Sequence, residues 1–349
     1  MRKEIFFKSS VSNGFYEEKD ITEEVFKNEP SFFQNEHDGY AELALVDPLG
    51  MLYVDGDFSS KPYYYFRHAL INQYRFGGIV ELGNDYLSHQ VSGDTKGLMQ
   101  IGDVSDLYSK KESTSNHDFV YGFGTDNPFS EFRFNNEFQT WKEADVLDIK
   151  AKHIGKVIVD HQASFDNLPQ ILFPVSLEGT YREKKVKGLG FFATNYKPKL
   201  QKASILDSLG YITMMFSGIR EDGRLEHAFV SIDQTGVAGA YYKLEGEELV
   251  TSKEVSMETT WERLPYVNDG TCTYQNAIFR FADKELHFKG KWGTKGVKEQ
   301  PYIEKHGQSQ VLGTWYEGST PYQHQVSFTF GENMEAFDYK LEKLGFEVK

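Results

Sequence analysis

Apolar and polar positions alternate with a period of two through most of this chain, which predicts strands. The clearest stretch is residues 173–198, FPVSLEGTYREKKVKGLGFFATNYKP. Val175, Leu177 and Gly179 alternate with Ser176, Glu178 and Thr180, and the charged run Arg182-Glu183-Lys184-Lys185 marks a turn. The return strand carries Gly188 and Gly190 on one face, followed by Phe191, Phe192 and Tyr196. Glycines inside a strand mark a bend, a bulge or a close backbone approach, as closed barrels need where they turn corners.

The same period recurs on either side. In residues 39–58 the runs AELALV and MLYV flank Asp47-Pro48-Leu49-Gly50, which predicts a hairpin. Residues 62–76 carry helical spacing (Phe66, Leu70, Tyr74) but also Tyr63-Tyr64-Tyr65, and the balance favours a strand. Strand runs then follow at short intervals, with the polar residues 108–118 as a loop and 141–151 as a short helix. After Pro198 the rhythm begins again, from SLGYITMMFSGI through LEHAFVSID to QVSFTFG. Helices are few. One is expected over Asp20–Asn28, with Asp20 as N-cap, and one over 335–344, with Phe337, Leu341 and Leu344 on one face and Gly345 at its end.

Many short strands with turn signals every 8–12 residues indicate an all-β protein, and two runs of strands meeting near residue 200 indicate two antiparallel barrels in tandem. The expected organisation is an N-terminal extension over 1–38, a first barrel over 39–200, and a second barrel with a C-terminal helix over 201–349. No strand-helix alternation is present, so a doubly wound nucleotide fold is excluded.

The 28 Phe and 21 Tyr supply a strand-favouring aromatic core. A net charge of -14 argues against nucleic acid and against anionic lipid as partners. The single cysteine, Cys272, rules out an intrachain disulfide and a cysteine zinc cluster. No His-Glu-x-x-His, no nucleophile elbow and no glycine-rich loop leading into a helix occurs, so no metal and no cofactor is expected. The start MRKEIFFKSS lacks an apolar core of signal-peptide length, and no run approaches the ~20 apolar residues of a membrane span, giving a soluble, cytoplasmic expectation.

The central hairpin resembles a family. Glu178-Gly179, a turn, and Gly188-Leu189-Gly190-Phe191-Phe192-Ala193-Thr194-Asn195-Tyr196-Lys197 are similar to the strand–turn–strand motif of the tandem-lipocalin group that holds carotenoid 1,2-hydratases (hydroxyneurosporene synthases), AttH-like proteins, kievitone hydratase and lipocalin-like Diels–Alderases. Trp315-Tyr316-Glu317-Gly318 and Pro62-Tyr63-Tyr64 resemble two further short runs of that group. The resemblance implies two lipocalin-like barrels and a hydrophobic small molecule as partner, a polyene, terpenoid or polyketide. The implied activity is cofactor-free cyclisation, isomerisation or hydration, with a non-catalytic carrier as the alternative. The chain departs from the motif at Ala193-Thr194, where the hydratases have Asp-His. Protonating an isolated alkene needs a carboxylic acid in a dry pocket, which Ala and Thr cannot supply.

The residues offer several candidates. His161, in VIVDH, is either a buried acid or base or a loop-edge histidine; Glu178 points either into a cavity or to solvent. Asn195 joins these as a catalytic candidate from the resemblance. Tyr196, Phe191, Trp315 and Tyr316 either pack a barrel mouth or line a ligand site, and His227, sharing a strand face with Phe229, is a further ligand-binding candidate with no second histidine spaced to make it a metal ligand.

Overall fold

A computed structural model gives this chain an almost entirely antiparallel β architecture. Side chains are described at 48–65, 133, 138–142, 146–156, 158, 172–193, 211–232, 239–264, 269–291, 309–322 and 324–349, and outside these ranges the backbone of the strands named below.

The first half builds β1 (Ala41–Val54), β2 (Tyr63–Leu70), β3 (Tyr74–Glu81), β4 (Gln100–Ile101), β5 (Leu107–Glu112), β6 (Asp118–Phe123), β7 (Ser130–Phe134), β8 (Phe138–Glu143), β9 (Leu147–His153), β10 (Leu168–Tyr181) and β11 (Lys184–Pro198). Each pairs with its neighbour in sequence, β11 pairs back onto β1, and the circuit opens between β4 and β5. An up-and-down meander whose last strand closes on its first is the lipocalin-like barrel. Val157–Phe165 lies on β10 and pairs on its other side with Thr22–Glu24.

The second half repeats the plan with β12 (Tyr211–Arg220), β13 (Leu225–Asp233), β14 (Ala238–Leu244), β15 (Glu254–Arg263), β16 (Cys272–Phe281), β17 (Lys284–Gly290), β18 (Gly313–Glu317) and β19 (His324–Asn333). Here β19 pairs with β12, and two sheets meet at β14/β15 and β18/β19. Lys3–Lys8 pairs antiparallel with β15, and Glu347–Val348 pairs parallel with it. The fold is two lipocalin-like barrels in tandem.

The central hairpin forms as its pattern predicts, with a shorter turn. Lys184 and Lys185 already pair with Tyr181 and Thr180, leaving a two-residue loop in which Arg182 and Glu183 have φ of 44° and 65°. Positive φ at both positions matches the right-handed strand twist of a tight hairpin. A Cβ on Gly188 would sit 1.7 Å from the Met51 carbonyl oxygen, and one on Gly190 2.1 Å from that of Leu49. Both glycines therefore serve the close approach of β11 to β1.

Four local expectations are overturned. AELALV and MLYV are not a hairpin but one strand, because Pro48 to Leu52 continue the β11 ladder without a break. Residues 141–151 are not a helix: Trp141 pairs with Ile149 across the β8–β9 hairpin, and alternation buries Leu147, Ile149 and Ala151. Of the polar run 108–118, residues 108–112 belong to β5 and Asp118 opens β6, with Glu112 opposite Asp118, while 113–117 lie outside the described residues. Thr22–Glu24 is a strand rather than part of a helix, recruited by the edge of Val157–Phe165. Within 62–76 the described residues Tyr63–Leu70 and those from Tyr74 onward are strand, as favoured. The C-terminal helix α1 spans Asp338–Leu344, buries Leu341 and ends on Gly345 at φ 95°. It starts later than expected because Glu335 has φ 53° and Phe337 is extended.

Three buried layers result. Tyr65, Trp141, Phe173 and Phe192 pack inside the first barrel. A second cluster, including Phe216, Trp261, Phe279 and Trp315, fills the second. Between them, Met51, Tyr64, Leu189 and Phe191 of the first barrel meet Phe229, Tyr241, Phe328 and Phe330 of the second.

Candidate functional site

The strand β12, YITMMFSGIR, is buried on both faces along most of its length. One face looks into the second barrel and the other onto the first. Its partner β13 shares both environments, so the strand period sends Glu226, Ala228 and Val230 into the barrel and His227 and Phe229 to the junction. Glu226 is thereby fully buried.

Four side chains converge on it. Arg220 Nη2 donates to Oε1 at 2.5 Å, and the Tyr242 hydroxyl donates to the same oxygen. The Tyr322 hydroxyl donates to Oε2 at 2.5 Å, and His324 Nε2 lies 2.8 Å from that oxygen. These residues come from one end of the barrel: the last residue of β12, the second of β13, β14 near its end, the loop before β19, and the first residue of β19. A register shift between Ile219 and Arg220, opposite Val326 and His324, accompanies the imidazole's placement beside Glu226. Gly218 leaves room for it, since a Cβ there would be 2.3 Å from His324 Cδ2. The imidazole packs on Trp315 with centroids 4.9 Å apart, and Trp315 packs on Phe216 at 5.1 Å.

Burial by itself would raise the Glu226 pKa, but hydrogen bonds from His324, Arg220, Tyr242 and Tyr322 outweigh it and hold the carboxyl at about 2. Burial, reinforced by the Glu226 charge, raises both tyrosine phenols well above their usual range, so they stay protonated donors. The Glu226 contacts outweigh the burial of Arg220 and keep it charged. Burial also raises the Glu317 carboxyl nearby, whose backbone N–H donates to the Tyr322 hydroxyl at 3.0 Å. Glu226 is thus a saturated carboxylate, suited to fixing four donors in place and unsuited to acting as an acid.

The expected site residues do not converge on one place. Phe191 and His227 do meet, at the junction, with ring centroids 6.5 Å apart and His227 Nδ1 3.4 Å from the Tyr241 hydroxyl. Trp315 lies inside the second barrel, but the strand period turns its neighbour Tyr316 outward, where it stacks on His287 at 4.7 Å. Tyr316 and Trp315 therefore do not line one site. Glu178 is a correction too: its side chain is 71% exposed and pairs with Lys187 at 3.2 Å on the solvent face of β10, which removes the cavity orientation. The side chains of His161, Asn195 and Tyr196 lie outside the described residues; their backbones run in Val157–Phe165 and β11, with a register irregularity between Asn195 and Tyr196.

Sequence reasoning passed over Glu226, Arg220, Tyr242, Tyr322 and His324. The one signal nearby was the uncharged run of eight residues in β12 from Tyr211 to Gly218, the pattern of a strand covered on both faces, and it does not reach Glu226 of the adjoining strand.

A second polar group lies in the first barrel. Trp141 Nε1 donates to Gln139 Oε1 at 2.8 Å, which points the Gln139 amide nitrogen at His153 Nε2, 3.1 Å away. That nitrogen must accept, so the imidazole is neutral, and burial lowers its pKa to about 4. The folded state binds fewer protons than the unfolded one. The contribution is complete above pH 6.5 and is lost as the pH falls toward 4. Urea unfolding of the protein should show this loss as a decline on the order of 3 kcal/mol. His153→Gln should remove most of the decline; an unchanged pH slope in that variant would contradict the assignment.

No group of three or more potential ligands for a metal ion occurs among the described residues. Likewise no helix among them is long and apolar enough to cross a membrane. A scan of protein-family models finds no match to the chain, and no curated protein matches it. Solved structures do. An AttH-like protein from Nitrosomonas europaea aligns with a TM-score of 0.48 at 10% identity, over 90% of this chain and 99% of that one. CghA in complex with Sch210972 aligns with a TM-score of 0.46 at 10% identity, over 96% and 99%. Kievitone hydratase from Nectria haematococca aligns with a TM-score of 0.44 at 9% identity, over 84% and 89%. AttH-like proteins and kievitone hydratase are among those the central hairpin resembles.

Proposed function

We propose that this protein binds a hydrophobic small molecule of polyene, terpenoid or polyketide-like character within its barrels and promotes a cofactor-free cyclisation or isomerisation. The observation that carries the reading is the array of Arg220, Tyr242, Tyr322 and His324 fixed around Glu226 inside an aromatic barrel. Small-molecule sites combine apolar walls with a few converging polar groups. A buried ion pair is weak evidence for stability, which makes an orienting role the better account of this one. Holding a flexible chain in a reactive fold lowers the entropic part of a barrier and needs no proton donor. Acid-driven hydration is disfavoured on two counts: Glu226 is saturated, and Ala193 is fully buried in the junction where the hydratases have an acid. These same two facts favour the second reading, a carrier.

Native mass spectrometry of protein purified from its own host, followed by denaturing extraction, tests both. A co-purifying apolar molecule is expected, and incubation with its acyclic or unrearranged precursor should yield it. An apolar ligand that is released chemically unchanged in every such incubation would assign the carrier role. Protein that neither retains nor binds any apolar molecule would overturn the reading.

A further inference from the structure

Two short strands from opposite ends of the chain fasten onto β15. Lys3–Lys8 runs antiparallel along it, opposite Glu254 to Thr259, and Glu347–Val348 runs parallel to it at Thr260 and Trp261. They meet at the irregularity in the β15–β16 ladder between Thr259 and Trp261, where the extra twist of a bulge divides the outer edge of β15 in two. The Glu347–Val348 side is anchored further. Arg263 N donates to the Lys349 carbonyl, Lys349 N donates to that of Trp261, and Phe346 packs on Trp261 with ring centroids 5.9 Å apart.

Lys3–Lys8 is held by one ladder. Its six residues form the outermost strand of their sheet and pair, among the described residues, with β15 alone. The register sets Ile5 opposite Met257, Phe7 opposite Val255 and Lys8 opposite Glu254. It also sets Glu4 opposite Glu258, and like charges directly opposite weaken a pairing. Val255 and Met257 belong to the core of the second barrel, and β15 packs against β14 where the two sheets of that barrel meet. Without the strand, the backbone donors and acceptors along this edge would be open to another chain. The next pairing along the chain is on the other barrel, Thr22–Glu24 against Val157–Val159. Residues 9–21 join the two pairings and can span up to ~45 Å. A tether of that length does not confine Lys3–Lys8 to the β15 of its own molecule.

We infer that the outer edge of β15 is a strand-exchange site, filled by Lys3–Lys8 of the same chain in the monomer and by Lys3–Lys8 of a second copy in a dimer. The second copy is the partner because exchange re-forms every pairing of the closed chain, Lys8 opposite Glu254 included, and needs no new contact. Binding is by strand addition, with main-chain hydrogen bonds holding the incoming segment.

Cysteine pairs read the exchange directly, since residues opposite each other on paired strands are within reach of a disulfide and the native Cys272 is fully buried. Lys8→Cys and Glu254→Cys are made in separate preparations, mixed at high concentration, then diluted and mildly oxidised. A disulfide-linked pair of full-length chains, one of each kind, is expected. Its yield should be at least ~10-fold that from a mixture of Lys8→Cys with Glu262→Cys, an exposed position off the register. The double variant Lys8→Cys/Glu254→Cys, oxidised when dilute, should close the bond within one chain. Internal closure without mixed pairs overturns the inference and leaves the strand fixed on its own molecule. Equal yields from the Glu254 and Glu262 mixtures mean random collision and overturn it as well. Failure of the double variant to close overturns the register and the inference together.

Discussion

Replacing Glu226 by alanine is expected to destabilise the protein by about 3–5 kcal/mol, the cost of removing one partner of a buried pair. The loss leaves the Arg220 guanidinium without its counter-charge and strands the Tyr242, Tyr322 and His324 donors around an empty volume. Glu226→Gln keeps the shape and two of the accepting contacts, so its cost should fall between that of alanine and zero. Urea unfolding with tyrosine and tryptophan fluorescence measures both. A loss below about 1 kcal/mol for Glu226→Ala would show that the carboxylate is not what holds the array together. The pH dependence has a definite sign. The folded pKa of about 2 lies below the ordinary 4.5, so this stabilisation is complete above pH 4.5 and disappears as the pH falls toward 2.

Phe191→Ala should cost about 3–5 kcal/mol and, unlike a change inside either barrel, should separate the unfolding of the two. Phe191 projects from β11 across the junction, with its ring 5.9 Å from Phe328 and 6.5 Å from His227. It is fully buried, so its removal opens a cavity in the junction cluster. If the junction is what couples the barrels, calorimetry should show one transition for the wild type and two for the variant. A single transition in the variant, lowered as a whole, would mean that coupling runs through other contacts.

These two residues show how unevenly the site was written in the chain. Phe191 was visible because it sits in a motif, beside glycines whose spacing already required a close approach. Glu226 sits in LEHAFV, where the eye goes to the histidine. In a strand with one solvated face, a glutamate flanked by apolar residues is a surface residue. Only closure of the second barrel makes it a core residue, because its side chain shares the interior face with Ala228 and Val230 while His227 and Phe229 meet the first barrel. Glu178 is the reverse case. It alternates with Val175 and Leu177 just as Glu226 alternates with His227, yet its face of β10 is open to solvent. Periodicity assigns two side chains to opposite faces; it does not say which face is wet.

The short elements failed for a related reason. Residues 141–151 carry enough apolar positions for a helical turn, but Trp141 finds a buried site against Tyr65 and Phe192 only as part of a strand. Asp47-Pro48-Leu49-Gly50 has the composition of a turn and is held straight by the ladder to β11, which lies far away in sequence. Tertiary pairing overrides local preference where the local signal is a few residues long.

By itself the sequence determined the all-β class, the twofold run of strands, the central hairpin with its glycine corner and the terminal helix, because each rests on spacing within a few neighbouring residues. The tertiary structure alone decided which charged side chains are buried, that Trp315 and Tyr316 part company, and that Arg220, Glu226, Tyr242, Tyr322 and His324 meet. Those five are spread over more than a hundred residues. Their meeting depends on barrel closure, which brings the ends of β12, β13, β14 and β19 to one mouth, and no local pattern encodes a closure.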